Sequence, residues 1–222
     1  MTSDSTRWTV IRRAAEGSRE DQAEFARRYG PVIRAYLGAR WRETPLFDYV
    51  DDAAQQVFLD CFKANGALRR ADPERGFRGF LYGVVRNVAR AKERKRARSR
   101  ERQTTSSVDI EAIAATEESC ATLFEREWAR ALLRDAAELQ RSRAREMGPD
   151  AVRRHRLLSL RYGENLPIRE IAKRWGMDPA VLHREFPKAR DEFKCALMDI
   201  VRDLQGSEAV EAECADLLRH FS

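Results

Sequence analysis

The sequence is poor in the residues that hold metals or cross-link a chain. Its four cysteines, Cys61, Cys120, Cys195 and Cys214, lie far apart, with no C-x-x-C pair and no nearby histidine set. That spacing indicates neither a zinc site nor a disulfide framework. Free cysteine packs as a small hydrophobe, so all four are expected as buried or half-buried thiols. The three histidines, His155, His183 and His220, are dispersed, and no carboxylates cluster as they do around a catalytic metal. An enzyme acting on nucleic acid would need such a cluster, so no catalysis, metal or cofactor is expected. No stretch approaches the roughly 18 apolar residues of a membrane span. The opening MTSDSTRWTVIRRAAEG does not join a basic start to an apolar run. No membrane insertion is expected, and the expected location is cytoplasmic. Glycine-rich loops, internal repeats, low-complexity tracts and alternating β-branched runs are missing as well.

What remains is charge and helical periodicity. Of the 222 residues 35% are charged, with a formal net charge of +6. A basic balance suits a partner of negative charge, most commonly nucleic acid. Acidic residues are also abundant, so the basic excess must be local. Apolar residues recur at helical spacing in segment after segment, which predicts an all-α fold. Arg19 to Arg42 reads as a helix pair around Gly30-Pro31, and Asp51 to Ala64 as one amphipathic helix. Phe77 to about Arg102 reads as a long helix after the turn signal ADPERG. From Gln103 to Ser119 the chain is polar, short-sided and acidic, the composition of a linker. Two small helical domains, residues 1–103 and 121–200, are therefore expected around a flexible linker at 104–120. A short amphipathic extension, residues 201–222, would follow them.

Within the second block the stretch IREIAKRWGMDPAVLHREF, Ile168 to Phe186, has a definite shape. Ile168, Ile171, Ala172 and Trp175 form one apolar stripe. Gly176 permits the left-handed conformation that ends this helix. Asp178 is a suitable N-cap and Pro179 suits the first helical position, so a second helix starts there. Its apolar face is Leu182, Phe186, Ala189 and Phe193, which turns Ala180, His183 and Arg184 outward. This is the helix-turn-helix pattern, whose second helix enters the major groove of DNA. A plain helical hairpin with a solvated basic face is the competing explanation. In the DNA reading, Asp178, Ala180, His183 and Arg184 face the groove. Arg184 is the natural base reader, because a guanidinium pairs with a guanine edge in two places. Lys188 and Arg190 fall on phosphates. Pro187 is expected to kink this helix.

The first block carries a basic stripe. Arg86 to Arg102 holds nine Lys or Arg against two Glu, directly after the aromatic-rich FRGFLYGVV. Basic side chains beside Phe77, Phe80 and Tyr82 are what a site needs to hold phosphates while stacking unpaired bases. Aromatics at helical spacing also serve a core, and a basic run also serves as a solvated face.

The order DDAAQQVFLDCF, then ADPERGFRGFLYGVVRNVARAKERKR, then the helix-turn-helix resembles the extracytoplasmic-function (ECF) group of bacterial RNA polymerase sigma factors. The likeness runs from about Trp8 to Phe221. TRWTVIRRA, FEREWARALL and the AVEAECADLLRHF tail look like a subgroup with a C-terminal extension. The resemblance implies a sigma region 2 and a sigma region 4 joined by the linker. It implies that core RNA polymerase and promoter DNA are partners, with the clamp helices of the largest subunit and the flap of the second-largest subunit as docking points. Asp51, Asp52, Gln55, Gln56 and Leu59 would contact the clamp. Of the family's acidic run before this helix, Tyr49-Val50-Asp51-Asp52 keeps only the last two residues. Leu68 to Arg78 would form the loop that captures a flipped base of the minus-ten element. Phe77, Arg78, Phe80, Tyr82, Arg86, Asn87, Arg90 and Arg94 would melt and read that element, and the helix-turn-helix would read the minus-thirty-five element. An anti-sigma factor or a Ser/Thr kinase is a further candidate partner, with Thr44, Thr104, Thr105, Ser106 and Ser107 as acceptors. The rival function is an operator-binding regulator that works without polymerase.

Overall fold

The computed structural model describes residues 7–103 and 116–205, and among them eight α-helices and no strand. The all-α expectation holds for this part of the chain. Most of the expected linker, the C-terminal extension beyond Gln205, Cys214, His220 and the acceptors Thr104, Thr105, Ser106 and Ser107 lie outside the described residues. No described helix is long and apolar enough to cross a membrane.

Two compact units divide the chain, the first ending at Ala131 and taking back residues 203–205, the second being Leu132–Arg202. The first contains α1 (Arg7–Glu16), α2 (Arg19–Trp41), α3 (Val50–Phe62), α4 (Phe77–Gln103) and the opening turns of α5 (Glu117–Met147). Ser18 caps α2 by accepting from the Asp21 backbone N–H at 3.3 Å. The expected break at Gly30-Pro31 does not occur, and α2 is one helix with Pro31 inside it. The Pro31 ring is exposed, while Tyr29, Val32, Ile33 and Tyr36 are buried on the opposite side. That burial on both sides of the proline outweighs the cost of one missing hydrogen bond.

The core of this unit is aromatic. Phe25, Tyr36, Trp41, Phe77, Phe124 and Trp128 are all under 2% exposed. Phe77 meets Trp8 and Phe25 edge-on, each at 5.8 Å between ring centroids. Trp128 lies flat on Tyr29 at 5.6 Å and 13°. The expected start of the second domain at Ala121 is therefore too early. Cys120, Phe124, Trp128 and Ala131 form a stripe at helical spacing that is buried in the first unit.

The second unit holds the rest of α5, then α6 (Pro149–Leu158), a π-helical turn (Ser159–Gly163), α7 (Ile168–Trp175) and α8 (Pro179–Gln205) as far as Arg202. Leu157, Leu160, Ile171, Ala172 and Leu182 make its core, with Ile168, Trp175 and Phe186 packed against them. Pro187 lies within α8 and does not end it. Its ring is exposed, while Leu182 and Ala189 on either side are fully buried. The exposed Cys195 departs from the expectation of a buried thiol, whereas Cys61 and Cys120 are buried. Burial pushes the Cys61 thiol up to about 12.

Candidate nucleic-acid interface

The basic stripe predicted on α4 lies in the first unit. Phe77 is fully buried in the aromatic core. It cannot stack on a base, which corrects its place among the expected DNA contacts. Phe80 is half-buried against it at 5.8 Å. Tyr82 is half-buried and edge-on to Tyr36 at 5.5 Å and to Phe124 at 5.2 Å. Asn87 and Arg94 are exposed. Arg78 pairs with Glu125 at 3.3 Å.

Arg86 and Arg90 lie beside a residue that sequence reasoning placed in the linker. Glu117, in the first turn of α5, accepts from the Tyr36 hydroxyl at 2.8 Å, the Tyr82 hydroxyl at 2.7 Å and Arg40 Nη1 at 2.7 Å. Arg86 Nε stands 3.5 Å and Arg90 Nη2 3.9 Å from the same carboxylate. Burial pushes the Glu117 carboxyl up, but hydrogen bonds from Tyr82, Tyr36 and Arg40 outweigh it and hold it at about 2. Burial and the Glu117 contact raise both tyrosines above the ordinary phenol value. Arg40 also grips Glu93 through Nε at 2.6 Å and Nη2 at 3.0 Å, and the Trp41 indole N–H donates to Glu93 at 2.9 Å. A two-pronged arginine pair of this kind fixes α2 against α4. Tyr36, Arg40, Glu93 and Glu117 went unseen in the sequence. Only the aromatic stripe Phe124, Trp128 could have drawn attention to α5.

The loop before α4 turns at Gly66, whose N–H donates to the Lys63 carbonyl at 2.6 Å. A Cβ at this glycine would sit 2.6 Å from that carbonyl oxygen and closer still to the carbonyl of Cys61. Leu68 is buried, while Arg69, Arg70 and Arg75 are exposed. Asp72 caps the next short turn by accepting from the Glu74 N–H at 3.0 Å.

On α3 the expected partner-facing residues Asp51, Asp52, Gln55, Gln56 and Leu59 are all exposed. Asp51 is ion-paired to Arg34 at 2.7 Å, and Gln56 donates to Asp60 at 3.2 Å. Leu59 is 58%, Phe47 50% and Tyr49 45% exposed, and Lys92 lies over the Tyr49 ring at 5.7 Å. Val57 and Cys61 cover the opposite, buried side of this helix.

In the second unit Gly176 ends α7 with φ 63° and ψ 33°, the left-handed conformation. Asp178 Oδ1 then accepts from the Ala180 N–H at 2.8 Å and caps α8. Asp178, Ala180, His183, Arg184, Lys188 and Arg190 are all exposed. Lys188 pairs with Glu185 at 3.1 Å. The inner side of α8 is held by polar contacts. Arg154 donates to Glu192 at 2.7 Å and to Glu185 at 3.2 Å. The buried Gln140 donates to the Ala189 carbonyl at 3.0 Å, and its own carbonyl lies 3.1 Å from His155 Nδ1. Burial and the nearby Arg141 depress the His155 pKa, which keeps the ring neutral near pH 7.

No protein-family model matches the chain, and no curated protein matches it. Among the described residues no three His, Cys, Asp or Glu side chains are grouped to hold a metal ion.

Proposed function

We propose that the protein is an RNA polymerase sigma factor of the extracytoplasmic-function type, which directs core polymerase to promoters and helps to melt them. The observation that carries this is the α7–α8 turn. A left-handed Gly176, a capping Asp178 and two buried faces leave Ala180, His183 and Arg184 exposed on one helix, as a major-groove reader requires. The arginine-rich face of α4 supports a second, strand-binding surface. The exposed Asp52, Gln55 and Leu59 on α3, beside Phe47 and Tyr49, support a third surface for a protein partner, because apolar groups next to polar ones characterise such patches. In this reading α3 docks on the polymerase clamp, α4 opens and reads the downstream element, and α8 reads the upstream element.

The test replaces Asp52→Lys together with Gln55→Ala. Both side chains are exposed, so the fold is expected to survive. The double variant should no longer copurify with core polymerase and should fail in transcription from promoters mapped by overexpression. A folded variant that binds core polymerase like the wild type overturns the docking face. A wild-type chain that binds promoter DNA tightly but never copurifies with polymerase makes it an operator-binding regulator instead.

A further inference from the structure

Five donors converge on the Glu117 carboxylate, and they are not equally satisfied. The hydroxyls of Tyr36 and Tyr82 and Arg40 Nη1 make hydrogen bonds of 2.8 Å or less. Arg86 and Arg90 stop at 3.5 and 3.9 Å. Those two distances are ion pairs without good hydrogen-bond geometry. The Arg86 Nε is buried and has no hydrogen-bond partner. A planar carboxylate is thus too small for the cradle. A phosphodiester carries the same single charge on two non-bridging oxygens, but its longer P–O bonds, tetrahedral spread and two further ester oxygens give it a wider reach toward Arg86 and Arg90.

The position of Glu117 makes exchange feasible. It lies in the first turn of α5, where a helix frays most readily. Phe124 and Trp128, two and three turns further on, are fully buried and anchor the rest of this segment. Opening the first turn uncovers the small buried Cys120 at its end, while the aromatic core of Phe124 and Trp128 stays closed.

We propose that the cradle of Tyr36, Arg40, Tyr82, Arg86 and Arg90 is a phosphodiester site for a nucleic-acid strand, and that Glu117 is its built-in competitor, displaced when the strand binds. The proposal rests on α4 being a strand-binding face. It adds Tyr36 and Arg40 to that face and makes the first turn of α5 a gate on it. Without a strand the acid offsets part of the cradle's positive charge and weakens stray binding. A strand that binds must supply phosphates in its place.

The experiment measures binding of fluorescein-labelled oligothymidylate to the full chain by anisotropy across a salt series. Glu117→Gln keeps the size of the side chain and removes its charge. The variant should bind on the order of tenfold more tightly, with a salt slope steeper by about 0.7 for each phosphate newly contacted. Arg86→Ala with Arg90→Ala, added to Glu117→Gln, should cancel the gain. The wild-type chain gives a readout that needs no variant. Amide exchange in the first turn of α5 should speed up when oligothymidylate binds, while exchange around Phe124 and Trp128 stays slow. Unchanged affinity in folded Glu117→Gln, or exchange that does not respond, overturns the competitor while leaving α4 as the strand face if the double arginine variant binds less. If the arginine pair has no effect in either background, the strand face fails and the competitor with it. Inorganic phosphate that occupies the cradle where oligothymidylate does not would make this a small-anion site and overturn the assignment to a strand.

Discussion

Arg184 is an exposed guanidinium in the second turn of α8, whereas Lys188, one turn on, is already paired with Glu185. The two should behave differently. Arg184→Ala should cost about 1–3 kcal/mol of discrimination at one base of the upstream element. Competition binding across a set of single-base promoter variants measures it, and equal weakening on every sequence would reduce Arg184 to a phosphate contact. Lys188→Ala should weaken all sequences alike. At Glu117 the relevant variable is pH. Its carboxyl is held at about 2, below the ordinary value of 4.5, so the folded state favours the charged form. The stabilisation is complete above about pH 4.5 and is lost as the pH falls toward 2. Thermal midpoints followed by circular dichroism should therefore drop between pH 5 and pH 3 in the wild type, and drop less in Glu117→Gln.

At the scale of elements, α5 is the helix that behaves least as its sequence suggests. Its first turns follow a polar acidic stretch and read as the end of a linker, yet they complete the core of the first unit. Trp128 is fully buried between Tyr29 and Phe124, so Trp128→Ala should destabilise that unit by about 3–5 kcal/mol, read from urea unfolding. A loss below about 1 kcal/mol would mean that α5 does not belong to this core. Other elements were legible because their signals are local. Gly176, Asp178 and Pro179 sit side by side and specify the stop and restart between α7 and α8. Pro31 misled for the same reason, since a local break signal was overruled by burial contributed from elsewhere in the chain. The aromatics of α4 divided by face. Phe77 turned to the core, while Tyr82 kept its ring inside and its hydroxyl on Glu117.

Over the whole molecule, what the sequence concealed was pairing across long separations. Glu117 meets the Tyr36 hydroxyl 81 residues upstream, and Arg40 reaches Glu93 across 53. Helical periodicity carries no information about such partners, although it found the exposed face of α8 and the polar side of α3. The net basic charge is likewise a poor guide to any one surface, because the arginines of α4 with the strongest claim on DNA are partly neutralised by an acid from another helix. The turn at Gly66 has a different kind of consequence. Its backbone angles are ordinary, so almost any residue could adopt them, but two carbonyl oxygens occupy the space a side chain would need. If this loop touches promoter DNA, as the proposed function holds, its exposed arginines Arg69, Arg70 and Arg75 can be exchanged without disturbing the core, and the preference can shift with them. Any side chain at the glycine would force two backbone carbonyls apart, so heredity can retune what the loop touches far more readily than the corner on which it hangs.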